Sequence, residues 1–424
     1  MDFIVTEPDP LLDAFFDKFT SLWSRPNQVE GFRAYVLGLV SEVHRKNVEA
    51  LSARVIGEPY QSLHHFLAEA PWDADAMNRS RLELLQSDPR TAPRPEGVLI
   101  LDDTGVPKKG HATEGVKRQY IGQLGKTANG QVFVTTHYAD PRCHWPVQLT
   151  PYVPDTWLTQ GKQDPGFHTK LELGLALVEQ AVALGIPFRV VVADSWFGRN
   201  LGFLKTLEAR GRPYVVDLPP SQRVFVRLAG DVARNEHRLA EAVGLLEPSA
   251  FRPVDLPMAD GTKRQVHVAR LELKIKGLSG KRRVVVVTTR PDDPKADEDL
   301  RLLTTNVVTL RDDTVAVLYA RRNWVEVFYR EAKDDLGAGQ YQVRDLGSIV
   351  RHWMLVFVAY TLLVLLKRRG QLGRWCKKNS TPSARPSGPC GTTCVRSSSS
   401  TGCPTTENLS KSIYNLKDSS LNPS

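Results

Sequence analysis

The sequence predicts an α/β layer fold, and three observations carry that expectation. "VLILDD" (Val98 to Asp103) and "FRVVVADSWFG" (Phe188 to Gly198) are short apolar runs that meet an acid, as buried strands do. Between them lies "HTKLELGLALVEQAVALG", apolar at helical spacing and stopped at Gly185. A further helix, "NLGFLKTLEARG", and a further strand, "PYVVDLP", continue the alternation, which indicates helices layered on a sheet.

Around this centre the chain changes texture. Residues 1–92 read as a helical region, with apolar residues three and four apart in "DPLLDAFFDKFTSLW", "VEGFRAYVLGLVSEVHRKNVEALSARV" and "SLHHFLAEAPW". The Pro-rich "RTAPRPEG" joins it to a core expected over 93–370. "QVFVTTHYA" and "PVQLTPYV" are strands of that core. Residues 222–308, with "RQVHVARLELKIKG" and "KRRVVVVTTR", form a β-rich insertion. Residues 371–424 are rich in Ser, Thr, Pro and Gly with little to bury, and are expected to be a disordered tail. Helical amphipathicity stops so abruptly there that a frameshifted or truncated end is the working explanation.

With 424 residues, 41% hydrophobic and 24% charged, the composition is that of a globular chain. A net charge of +9 and a pI near 9.3 favour a polyanionic partner, nucleic acid first. The most apolar run, Trp353 to Leu366, has 14 residues against the roughly 20 of a membrane span, so a buried helix and no membrane role are expected. "MDFIVTEPDP" carries acids where a secretory leader is basic, and Cys143 alone precedes residue 370, both suiting a reducing cytoplasm. Cys376, Cys390, Cys394 and Cys403 fit no common zinc spacing. His64, His65 and His111 have no evident triad partners.

Three carboxylate positions stand where chemistry can use them. Asp102 and Asp103 close the first strand, Asp194 follows the second, and Glu326 lies in "YARRNWVEVFYREAK". Read as one helix ending at Gly337, that stretch puts Tyr319, Arg322, Glu326 and Lys333 within about 60° of each other. Val325, Phe328 and Leu336 are left to face a core. Hard divalent cations take oxygen ligands, and two such ions can clamp an in-line phosphoryl displacement. Strand-end acids are also common helix caps, and Glu326 can simply pair with Arg322 or Arg330, so the pattern alone leaves both readings open.

The spacing Tyr319, two residues, Arg322, three, Glu326, six, Lys333 resembles the Y-(2)-R-(3)-E-(6)-K motif of bacterial insertion-sequence transposases of the DDE superfamily. "LDDTGVPKKGHATEGVKRQYIGQLGKTANGQVFVT", "VVVADSWFG" and "RHWMLVFVAYTLLV" resemble further segments of that family, in the same order, over roughly residues 10 to 370. The resemblance implies a ribonuclease-H-like mixed sheet with flanking helices. It implies Asp102, or its neighbour Asp103, as first catalytic acid, Asp194 as second and Glu326 as third, with Asp102, Asp194 and Glu326 holding Mg²⁺ or substituting Mn²⁺. Asp102 is favoured because "DDT" matches the family's Asp-any-Thr pattern.

The family would use Tyr319, Arg322 and Lys333 to hold DNA near the scissile phosphate, and the loop cations Lys108, Lys109, Lys117 and Arg118 suit phosphate contacts beside the first aspartate. The expected activity is metal-dependent cleavage and strand transfer at the terminal inverted repeats of a mobile element, on double-stranded DNA, by a dimer or larger assembly in the bacterial cytoplasm at the nucleoid. One alternative is a DNA-binding remnant without catalysis. Another is a phosphatase with an Asp nucleophile, disfavoured because Thr104 stands where a second acid belongs.

Overall fold

The structure, a computed structural model, describes residues 10–53, 59–258 and 261–371. The readings made on the tail and on Cys376, Cys390, Cys394 and Cys403 lie outside the described residues. Two compact units emerge. Among the described residues, one draws on 10–53, 59–81, 331–342 and 351–371; the other on 82–258, 261–330 and 343–350.

The first unit is helical. It contains α1 (Pro10–Phe16), α2 (Pro26–Val40), α3 (Val48–Ser52), α4 (Tyr60–Ala68) and the start of α5 (Ala74–Ser87). The helical stretch that begins near Val29 is divided between α2 and α3, because Ser41 turns extended and its Oγ bonds the Gly38 carbonyl at 2.6 Å. Phe16, Phe19, Trp23, Phe32, Phe66 and Trp72 interlock with ring centroids 5.0–6.0 Å apart, the geometry aromatic quadrupoles prefer. The apolar run near the C-terminus belongs to a longer helix, Leu346–Arg368, of 23 residues. By length and composition alone that helix is long enough to cross a membrane. Trp353, Leu355, Phe357 and Val358 on it are nonetheless completely buried within the protein. His352 is buried with them, its ring nitrogens meeting the Tyr35 hydroxyl at 2.8 Å and the Gly337 carbonyl at 3.1 Å.

The second unit is built on one large mixed sheet. Its strands are β1 (Val98–Pro107), β2 (Lys117–Ile121), β3 (Lys126–Ala139), β4 (His144–Tyr152), β5 (Val190–Ala193) and β6 (Tyr214–Asp217). The insertion adds β7 (Arg223–Val226), β8 (Asn235–Arg238), β9 (Arg252–Pro257), β10 (Lys263–Ile275), β11 (Arg282–Thr288) and β12 (Arg301–Thr305). The order β4-β3-β1-β5-β6, with β3 antiparallel to both neighbours and β5 and β6 parallel to β1, is ribonuclease-H-like. The insertion does not stand apart, since β12 pairs with β6 and carries the sheet on through β11 and β10. Its return strand therefore buttresses the β6 end of the core.

Helices cover this sheet: α6 (Lys170–Ala183), α7 (Ser195–Gly198), α8 (Leu201–Ala209), α9 (Leu239–Val243), α10 (Asp312–Ala320) and α11 (Asn323–Arg330). Thr169 opens α6 with a capping box, exchanging bonds with Glu172. Leu99, Ile100, Leu101, Val190, Val191, Val192 and Val215 are fully buried, as strands of a sheet covered on both faces must be.

Candidate active site

Register places the acids. Leu101 of β1 lies opposite Ala193 of β5, and Ala193 opposite Val216 of β6. One residue further along the three parallel strands stand Asp102, Asp194 and Asp217, a row of carboxylates across the carboxyl end of the central sheet. Such ends are where functional groups gather in open α/β sheets. Asp217 was missed in the sequence, where "PYVVDLP" reads only as a strand. The available signal was the same as for the other two, an apolar run meeting an acid.

Asp102 is buried, its carboxylate 8% exposed, and its Oδ2 accepts from Nη2 of Arg322 at 2.8 Å. That same nitrogen lies 3.2 Å from Oε1 of Glu326 and 4.0 Å from Oδ2 of Asp194. Two strands and a helix thus bring three carboxylates around one guanidinium nitrogen. Their negative charge exceeds its single positive charge. Burial pushes the Asp102 carboxyl up to about 8; Arg322 opposes that shift, and Asp194, Glu326 and Asp103 add to it. Burial works against the Arg322 cation too, but Asp102, Tyr319, Asp194 and Glu326 together more than offset it and the guanidinium is held charged.

Each acid is held differently. Oδ1 of Asp194 caps α7, accepting from Trp196 N at 3.0 Å and Phe197 N at 3.2 Å. The cap and the chemical reading coexist, because the other oxygen faces Arg322. Gly198 lets α7 lie against the end of β6, where an added Cβ would collide with the Asp217 carbonyl oxygen. Asp103 is directed elsewhere, as alternation along a strand requires, and its Oδ2 accepts from Lys170 Nζ at 2.8 Å. Lys170, another residue the sequence reading passed over, also sits 5.5 Å from the ring centre of the part-exposed Trp196. Asp217 anchors the insertion through Leu302 N, which donates to its Oδ1 at 2.9 Å.

Two expectations need correction. The segment from Tyr319 to Lys333 is not one helix. It breaks after α10 into a turn at Arg321 and Arg322, resumes as α11, and ends in a π turn, Glu331–Asp335. Bonds from Arg322 N to Tyr319 O and from Val325 N to Arg322 O, each three residues back, mark the break. The regular helical stripe is therefore lost, while Glu326, 58% exposed on α11, still meets Arg322. Val325, Phe328 and Leu336 are buried as expected. Tyr319 lines a cleft with Arg264, Arg301 and Asn323, and burial and the Asp217 carboxylate hold its hydroxyl in the neutral form. Lys333 lies half-buried in the π turn, within the first unit.

The second correction concerns the loop cations. β1 does not end at the acids but runs on to Pro107, so Lys108 lies about 20 Å along the strand from Asp102 rather than beside it. Burial lowers the Lys108 ammonium to about 8. Lys117 is paired with Asp155 at 2.5 Å, whereas Lys109 and Arg118 are exposed.

Among the described residues no three acids, histidines or cysteines already form a metal cage. The donor set nonetheless fits a hard divalent cation: only carboxylate oxygens, from three elements, converging on a point now filled by positive charge.

A ribonuclease-H-like sheet with acids at the carboxyl ends of its parallel strands defines a nuclease core. Comparison with known proteins agrees with that class. Residues 14–256 match the family model described as DDE superfamily endonuclease, and residues 168–362 match the transposase DDE domain. A curated relative, "Probable transposase for insertion sequence element IS701" of Microchaete diplosiphon, is 28% identical over 350 residues, covering 81% of this chain and 85% of its own length. The chain belongs to the DDE superfamily of endonucleases, and within it to the insertion-sequence transposases. Enzymes of this family act on DNA and depend on divalent metal.

Proposed function

We propose that this transposase cuts and joins DNA at the ends of its mobile element by two-metal, in-line phosphoryl transfer, with Asp102, Asp194 and Glu326 as the catalytic acids. The single observation that carries the reading is the meeting of these three carboxylates around one nitrogen of Arg322. Mg²⁺, or Mn²⁺ in its place, would be held by the three acids and would supply neutralisation of charge at the scissile phosphate and activation of the attacking oxygen.

The protein's own part is placement. Asp102 is fixed by β1, Asp194 by its cap on α7, and Glu326 by α11, so the acids are arranged before substrate arrives. Water attacks the phosphorus at the element's end and the 3′-oxygen leaves. The freed 3′-hydroxyl then attacks a target phosphodiester in line and displaces the target strand's own 3′-oxygen, which leaves as a 3′-hydroxyl, and no covalent bond to the enzyme is needed. Arg322 and Tyr319 supply donors for phosphate oxygens beside the acids, while Lys109, Arg118 and Lys333 contribute sequence-independent affinity. The partners in this reading are the terminal inverted repeats and target DNA, engaged by at least two copies of the chain.

Incubating the full chain with plasmid DNA that carries the element's ends tests the proposal. Nicking that requires Mg²⁺ or Mn²⁺ and stops with chelator is expected. A chain that shifts the DNA in a gel but never cuts it would be the DNA-binding remnant instead.

A further inference from the structure

Arg322 is bound differently from two other arginines of the same unit, which form two-pronged pairs. Arg282 meets Glu208 through Nη1 at 2.8 Å and Nη2 at 3.0 Å, and Arg212 meets Glu179 through Nε at 3.0 Å and Nη2 at 2.6 Å. That fork is what makes guanidinium–carboxylate pairing strong and fixed. Arg322 instead directs one nitrogen, Nη2, at three acids from three elements, while its Nε is buried with no hydrogen-bond partner. A buried donor left unmatched is unfavourable, so this arrangement is not optimised as a permanent strut. It is held by net charge, at the point where the acids' oxygens converge.

We propose that Arg322 is a displaceable counter-cation: it neutralises the carboxylate cluster without metal, leaves when divalent metal binds, and is received by a DNA phosphate. The inference rests on the proposed assignment of the three acids. A cation held by those oxygens needs the space that Nη2 fills, so guanidinium and metal compete. A phosphate offers the displaced fork two acceptors and a partner for the idle Nε. DNA therefore removes the competitor, and metal in turn frees Arg322 for DNA. By thermodynamic reciprocity each tightens the other's binding by the same factor. The device keeps a nuclease site poorly loaded until substrate is present.

The test is Mn²⁺ binding by the full chain, read from free Mn²⁺ by electron paramagnetic resonance. Without DNA, Arg322→Ala should bind Mn²⁺ at least about fivefold more tightly than the parent, the lower end of typical coupling between sites. Arg322→Lys, which keeps the charge, should fall close to the parent. Arg322→Ala should melt at lower temperature in chelator, and Mn²⁺ should raise its Tm more than the parent's. A mixed-sequence 30-base-pair duplex (about three turns) should tighten Mn²⁺ binding to the parent and leave Arg322→Ala unchanged. Equal Mn²⁺ affinity for the parent and Arg322→Ala, while Asp102→Asn loses Mn²⁺, overturns the role of Arg322 and leaves the acid site standing. A parent indifferent to the duplex overturns the coupling to DNA. If Asp102→Asn binds Mn²⁺ like the parent, both the inference and the acid site fail. Should Arg322→Ala not fold, Arg322→Gln measured in the same way decides the matter.

Discussion

Asp102 and Arg322 stand 220 residues apart in the chain, yet Oδ2 of one lies 2.8 Å from Nη2 of the other. The contact joins the first strand of the core to the turn that precedes α11, across the whole insertion. Because Arg322 also faces Asp194 and Glu326, the pair forms the hub through which three distant segments share one electrostatic environment.

Asp102 and Asp103 are neighbours with different fates, and that difference is measurable. Asp102→Asn should abolish DNA cleavage, since it removes one of the converging acids. Asp103→Asn breaks the part-exposed pair with Lys170, a loss of about 0–1 kcal/mol, and should leave cleavage within a few-fold of the parent. Nicking assays and thermal melts of the two variants side by side check this, and the opposite ranking would make Asp103 the first acid.

Glu326 is more than half exposed on α11, so its replacement disturbs little packing. Glu326→Gln should stop cleavage, a loss of at least about 100-fold, while gel-shift affinity for end-containing DNA stays within a few-fold. Cutting at the parental rate would remove Glu326 from the catalytic set.

Gly198 has no room for a side chain, because the Asp217 carbonyl occupies the place of its Cβ. Gly198→Ala should push α7 away from β6 and lower stability by about 1–3 kcal/mol, with a drop in Tm. Cleavage should fall further than the lost stability explains, since Asp194 caps the displaced helix. An unchanged Tm would show that the two elements do not meet this closely.

Asp217 gives the metal-free protein a pH signature. Burial pushes its carboxyl from the ordinary 3.8 up to about 6; the Leu302 amide and Arg301 pull the other way, and Asp194 adds to the rise. The folded form therefore keeps this proton to higher pH than the unfolded chain does. Its contribution to stability is complete below about pH 4 and is lost as pH rises to about 6, by up to about 3 kcal/mol. In chelator, Asp217→Asn should flatten the fall in stability over that interval. Urea-unfolding curves at pH 4, 5 and 6 check it, and overlapping profiles for parent and variant would count against the shift.

Strand and helix identity was largely legible from local pattern. "VVVA" before Asp194 and the capped helix after Thr169 depend on apolar spacing and nearby polar groups, which neighbouring residues specify by themselves. The break at Arg321 and Arg322 was invisible, because nothing in that stretch interrupts helical periodicity. The length of β1 was misjudged for a similar reason: "TGVP" looks like a loop, yet pairing with β3 through Pro107 keeps it extended. Lys170 has no local mark tying it to Asp103, 67 residues away.

The amino-acid order alone determined the layered class, the basic character and the identity of three acids worth watching, since propensity, charge and spacing are properties of short segments. The fold had to decide that Asp217 joins the row, that Asp103 turns to Lys170, and that Arg322 fills the centre. Those outcomes depend on strand register and on which side chain reaches a shared point in space, and both arise from pairing between segments far apart in the chain.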